Sequence, residues 1–264
     1  MLRNPWVGIG VLVPSLLAML VALRALRARL ALHPEVSRKT AHVGLGIATL
    51  SFPLLFDSVW PVAVLGVATV AVLAALRWLP AVGARFGCVV HGVARRSAGE
   101  FYFPAAAAAL FVLTDGDAVR FGVPVLTLTF ADAAAALVGL QYGRIRLAAG
   151  DESKTLEGSA AFFAVAFLSA HVPLLLFTDT GRLESLLIGA AYAALVTLLE
   201  AVSPRGTDNL SIPLGGCVLL DIFAGQTARE LAALLFAMLL IALAFAPFSP
   251  RHAFARWRAA GDGR

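Results

Sequence analysis

The sequence predicts an all-α integral membrane protein: a polytopic bundle of about nine transmembrane helices, forming one domain over residues 1–264. Three observations carry this. The 264 residues are 60% apolar, with a mean hydropathy of +0.86, far outside soluble globular composition. Apolar runs long enough to cross a bilayer recur along nearly the whole length. Basic residues gather in alternate loops between those runs.

The first run, "MLRNPWVGIGVLVPSLLAMLVAL", lacks a small-residue cleavage site and continues into "RALRARLALHPEVSRK". It reads as a retained span and not as a signal peptide. Spans are expected at 6–23, 40–56, 59–79, 101–114, 121–141, 157–177, 184–202, 211–224 and 230–248. The fourth and eighth are short. The eighth, "SIPLGGCVLLDIFAG", carries Pro213, two glycines and Asp221, and reads as broken or as embedded against protein.

Orientation follows from the loops. Arg24, Arg27, Arg29, Arg38 and Lys39 follow the first span, and no basic residue follows the second. Arg77, Arg85, Arg95 and Arg96 follow the third, and Arg144, Arg146 and Lys154 the fifth. The tail carries Arg251, Arg256, Arg258 and Arg264, while Arg120, Arg182, Arg205 and Arg229 stand alone in their loops. The alternation puts the N-terminus outside and the C-terminus in the cytoplasm. The net charge of +5 is therefore topogenic and does not indicate nucleic-acid binding. Cys88 and Cys217 form no CxxC pair, and His33, His91, His171 and His252 have no metal-ligand spacing.

The same alternation brings four polar stretches to one cytoplasmic face, where nucleoside triphosphates and Mg²⁺ are available: "SRKTAH", "RRSAGE", "DESKTLEGS" and "SPRGTDNL". Lys39 and Lys154 are the only two lysines among 21 Lys and Arg residues. In the first stretch a topogenic flank with a snorkelling lysine would explain Arg38 and Lys39. It would not explain His42, which lies three and four residues further on along the same helical face. Three nitrogen donors there suit an anionic ligand.

Asp132 sits inside an apolar span, where a carboxylate is by default a functional-site hypothesis. Ala136, Gly139 and Gly143 follow it on one small-residue stripe, read either as close helix packing or as room for a ligand near the backbone. Lys154 precedes Thr155, Glu157 and Gly158 at the next helix start. A lysine is a compact point charge suited to phosphate, and a helix N-terminus favours anions. The plainer reading there is a capping box around Ser153, Lys154–Thr155 and Glu157. Asp208 and Asn209 read as an ordinary turn, or as hard-oxygen groups for Mg²⁺ held together with phosphates. Arg95, Arg96 and Glu100 read as a topogenic loop. No Walker A loop, dinucleotide fingerprint or Ser/His/Asp arrangement is present in the sequence.

Taken together, "RKTAH", "DAAAALVGLQYGR", "KTLEGS" and "EAVSPRGTDNLSIPL" resemble the membrane-bound polyprenol kinase family, which includes dolichol kinases, phytol kinases and CTP-dependent diacylglycerol kinases. The resemblance runs from about residue 35 to 215. Its most specific part is the Asp132-to-Gly143 block followed closely by Lys154, Glu157 and Gly158. The compact chain is more similar to phytol kinase and its prokaryotic relatives than to the longer dolichol kinases. The resemblance implies phosphoryl transfer from CTP to a lipid alcohol at the cytoplasmic leaflet. It further implies that Arg38, Lys39, Gly139, Gly143, Lys154, Thr155, Glu157, Gly158 and Asn209 bind the nucleotide. On this reading Asp132, Glu157 and Asp208 hold Mg²⁺, and Asp132 or His42 orients or deprotonates the acceptor hydroxyl. Two other functions fit the same residues: a phosphatidate-type cytidylyltransferase, and an ion-coupled transporter using Asp132, Glu200, Asp221 and a broken span.

Overall fold

The computed structural model describes residues 4–30, 33–78, 99–149, 152–204 and 206–245. Cys88, His91, Arg85, Arg95, Arg96, Arg205 and the tail beyond Phe245 lie outside the described residues. The elements are α1 (Pro5–Leu30), α2 (Pro34–Leu50), the single turn α3 (Phe52–Leu55), α4 (Val59–Trp78) and α5 (Gly99–Leu113). A continuous rod follows, built from α6 (Ala118–Leu126), a π-helical turn (Thr127–Ala131) and α7 (Asp132–Tyr142). Then come a hairpin of β1 (Arg146–Ala149) and β2 (Glu152–Thr155), and helices α8 (Leu156–Phe177), α9 (Arg182–Val202), α10 (Asp208–Phe223) and α11 (Ala228–Phe245).

Among the described residues every expected span falls largely on helix, and residue 79 of the third span and 246–248 of the ninth lie outside the described residues. By length and composition, four helices can cross a membrane among the described residues: Pro5–Leu23, Ala118–Tyr142, Leu156–Phe177 and Arg182–Val202. Val59–Ala75 and Gly99–Leu113 are shorter apolar helices. The expected second span is divided, because α2 ends at Leu50 and Pro53 opens a new turn. The eighth is not broken. α10 runs unbroken through Pro213 and buries Ile212, Gly216, Cys217, Leu220 and Phe223, so it is embedded in protein.

Two apolar cores flank the rod. One joins the rod to α8, α9, α10 and α11 through Phe162, Tyr192, Val196, Ile212 and Leu231. The other joins it to α1, α3, α4 and α5 through Leu12, Phe56, Val62, Leu110, Phe111 and Phe121. The outer faces carry Val67, Leu176, Phe177 and Leu243 in the open, as a bundle surrounded by hydrocarbon would.

The loops sort into two ends. At one end the 53–59 turn shares a cavity with Phe111, Asp115 and Gly116, and Arg120 pairs with Asp221 through 2.7 and 2.8 Å contacts. Beyond the opposite end of the rod lies the hairpin, and Asp132 sits near the middle of the rod, ten residues before Tyr142. The hairpin is a small departure from the all-α expectation. Its register pairs Arg146 with Thr155 and Leu147 with Lys154, and Leu156 N–H closes its base on the Ile145 carbonyl at 2.9 Å.

Candidate active site

The site begins with local backbone. The π turn widens the rod just ahead of Asp132, and such turns recur at functional sites. α2 docks against this turn because Gly46 has no side chain; a Cβ there would stand 2.0 Å from Thr129 Oγ1. That approach carries Lys39 and His42 onto the rod. The Lys39 ammonium donates to Asp132 Oδ2 at 2.5 Å, and His42 Nε2 lies 3.4 Å from the same oxygen. His42 Nε2 is also 3.0 Å from the Leu128 carbonyl, and its ring meets Phe103 edge-on. Since a carbonyl only accepts, Nε2 carries a proton, and Nδ1 is the neutral ring's basic nitrogen. Lys39 and Asp132 are 4% and 8% exposed, so this is a buried ion pair.

Arg38 takes a different direction. It forms a two-point contact with Glu35, at 2.5 and 3.0 Å, on the exposed side of α2. Glu35 precedes the span, and the Arg38 hydrogen bond holds its carboxyl below the usual carboxylate range. The pair therefore persists until the pH falls through that lowered value. Arg38 nonetheless stays within electrostatic reach of Asp132 and Asp208.

A second lysine–carboxylate pair lies across the site. β2 delivers Lys154 to the end of α9, where its ammonium is 2.8 Å from Glu200 Oε1 and also donates to the Glu200 backbone carbonyl. Glu200 is 7% exposed. Asp208, the first residue of α10, lies within electrostatic reach of Asp132, Lys154 and Lys39. Asn209 donates from Nδ2 to the Gly99 carbonyl at 3.2 Å, tying the start of α10 to the start of α5.

The small-residue stripe serves packing. A Cβ on Gly158 would stand 2.8 Å from the Ala135 carbonyl, and one on Gly139 would stand 2.9 Å from Thr155 Oγ1. A Cβ on Gly143 would come within 2.6 Å of Thr155 Cγ2. Gly139, Gly143 and Gly158 thus let α7 and α8 cross closely, with Thr155 in the crossing. Thr155 caps α8 by accepting from Gly158 N–H at 3.1 Å. The expected capping box does not form, because Gly158 and not Glu157 occupies the third helical position. Glu157 instead accepts the Ile145 N–H, 3.3 Å from each carboxylate oxygen.

Among the described residues, no three His, Cys, Asp or Glu side chains are grouped as a metal cage. The expected trio of Asp132, Glu157 and Asp208 is not assembled, since Glu157 faces the hairpin base. The donor set fits Mg²⁺ in its other common form, with one or two carboxylates complemented by substrate phosphates and water. Asp208 is the hard-oxygen group of that set. Sequence reasoning gave Glu200 no place in the kinase site and named it only for the transporter alternative, although a carboxylate at the end of an apolar run is a signal.

No protein-family model and no solved structure matches this chain. One curated protein does: phytol kinase from Synechocystis sp. is 29% identical over 221 residues, covering 81% of this chain and 90% of that protein. The similarity therefore spans the bundle and not a single motif. The chain is thus similar to a phytol kinase over most of both lengths.

Proposed function

We propose that the protein is a membrane lipid kinase. It transfers the terminal phosphate of a nucleoside triphosphate, CTP by family resemblance, to the hydroxyl of an isoprenoid alcohol such as phytol, geranylgeraniol or a polyprenol. The observation that carries this reading is a convergence of charge. Two lysines and three carboxylates (Lys39, Asp132, Lys154, Glu200 and Asp208) arrive from five elements within electrostatic reach of one another inside an apolar bundle. A phosphoryl-transfer enzyme needs positioning and charge stabilisation from its protein, and cations facing hard-oxygen ligands supply both.

In this mechanism Lys154 and Lys39 hold the donor phosphates from opposite sides, with Arg38 adding positive potential from the rim. Mg²⁺ would be held by Asp208 together with the donor phosphates and would supply charge neutralisation there. The alcohol tail lies against the apolar helix faces and its hydroxyl meets the site at the bilayer surface. The hydroxyl oxygen forms a bond to the terminal phosphorus as the bridging P–O bond breaks, and the nucleoside diphosphate leaves. Asp132 takes the hydroxyl proton. Its Oδ2 is committed to Lys39 and His42, so Oδ1 is the oxygen that faces the acceptor. His42 fixes that carboxylate. By the positive-inside rule the hairpin end of the bundle faces the cytoplasm.

Product analysis tests the reading against nucleotidyl transfer. A kinase releases the nucleoside diphosphate and a phosphorylated alcohol. A cytidylyltransferase acting on a lipid phosphate releases pyrophosphate. Pyrophosphate formation by the purified protein would replace the kinase reading with the second.

A further inference from the structure

We infer that Glu200 is the positioning residue for Lys154, an inference that rests on the kinase reading and extends it. An ammonium has three donors. Among the described residues the Lys154 ammonium hydrogen-bonds to Glu200 alone, which takes two of the three, one with Oε1 and one with its own backbone carbonyl. The third N–H is left for an anion. One residue thus supplies both acceptors, so the direction of the third N–H is fixed by where α9 ends.

The setting favours a held cation. The last carbonyls of a helix lack intrahelical partners and carry the negative end of its dipole. Glu200 lies two residues before the end of α9, and its carbonyl also accepts the Ser203 N–H at 3.3 Å. Lys154 therefore sits against a carboxylate, a backbone carbonyl and the helix end together. β2 brings it there from a different element, 46 residues away in sequence.

The second oxygen of Glu200 argues against a purely structural tie. Oε2 is buried and takes no hydrogen bond among the described residues. A buried acceptor left bare is destabilising, and an apolar side chain of similar size would pack there without that cost. A carboxylate stands there in spite of this, with Asp132 and Asp208 also within electrostatic reach. Its gain is the oriented ammonium. An ion pair that aligns a phosphate-binding lysine is a recurring device of phosphoryl transfer.

The test is a double-variant cycle on nucleotide binding by the full-length protein in detergent, using non-hydrolysable CTP and ATP analogues with Mg²⁺. Thermal melting serves as the folding check. Glu200→Gln keeps the shape and the carbonyl but removes the charge, and is expected to weaken binding about 10-fold. In a Lys154→Ala background the same change is expected to alter binding less than about 3-fold, because Glu200 acts through Lys154. Unchanged affinity in Glu200→Gln, or an equal loss in both backgrounds, would overturn the inference. Should Glu200→Gln fail to fold, Glu200→Asp takes its place in the same cycle, and the same two outcomes decide. Wild-type protein that binds neither analogue would remove the kinase reading, and this inference with it.

Discussion

Lys39 and Lys154 are the chain's two lysines, and each is tied to a carboxylate from another element: Lys39 to Asp132 and Lys154 to Glu200. A buried pair is costly to break by halves. Lys39→Met leaves Asp132 uncompensated and is expected to destabilise the protein by about 3–5 kcal/mol. Lys39→Met combined with Asp132→Leu is expected to recover most of that stability and none of the phosphoryl transfer. Melting and a lipid phosphorylation assay on the three proteins measure both. Asp132→Asn is expected to fold and to be inactive; a folded, fully active Asp132→Asn protein would remove Asp132 from the chemistry. The sequence made Lys39, His42 and Asp132 visible because charge inside or beside an apolar run is costly. It could not show that Arg38 turns away to Glu35, since both arginine and lysine look equally placed on the helix. Glu200 escaped for a related reason: a carboxylate in the last turn of a span reads as an interface residue, and no spacing rule links it to Lys154.

Among the elements, the crossing of α7 and α8 sets the distance between Asp132 and the Lys154 hairpin. Gly158→Ala would push a methyl group to 2.8 Å from the Ala135 carbonyl. It is expected to cost about 1–3 kcal/mol, as overpacking does. Gly122→Ala makes a clean comparison, because a Cβ there meets nothing within 4 Å. It is expected to be neutral or to stabilise α6 by up to about 1 kcal/mol through helix propensity. Thermal melts of the two variants in one detergent read the difference. The stripe of Ala136, Gly139 and Gly143 was legible as small residues, and helix packing was one of its two readings. The β hairpin was not legible. Its strands are four residues each, too short for a period-two pattern to stand out in a polar loop. The capping box failed on one position: "TLEG" puts Gly158, not Glu157, where the box needs a carboxylate.

Across the whole molecule, hydropathy located the bundle well, because hydrocarbon imposes apolar runs of nearly fixed length. It was less exact where protein replaces lipid around a helix. α10 has 16 residues and buries a face among its neighbours, so composition alone left it either broken or embedded in protein, and it is embedded. The orientation is open to direct measurement. With Cys88 and Cys217 replaced, single cysteines at Asp57 and Asp179 are expected to react with an impermeant thiol reagent from outside whole cells. One at Arg144 is expected to react only after permeabilisation. The reverse pattern would invert the topology and move the site to the wrong face for nucleotide. The central claim is that this site moves a phosphoryl group onto a lipid alcohol. The most direct measurement supplies γ-labelled CTP or ATP and Mg²⁺ to purified protein. The acceptor panel is phytol, geranylgeraniol, undecaprenol and diacylglycerol, with Lys154→Ala in parallel. Label is expected in an isoprenoid alcohol with the wild-type protein and is expected to be lost in Lys154→Ala. A folded wild-type protein that labels none of the four lipids would contradict the account.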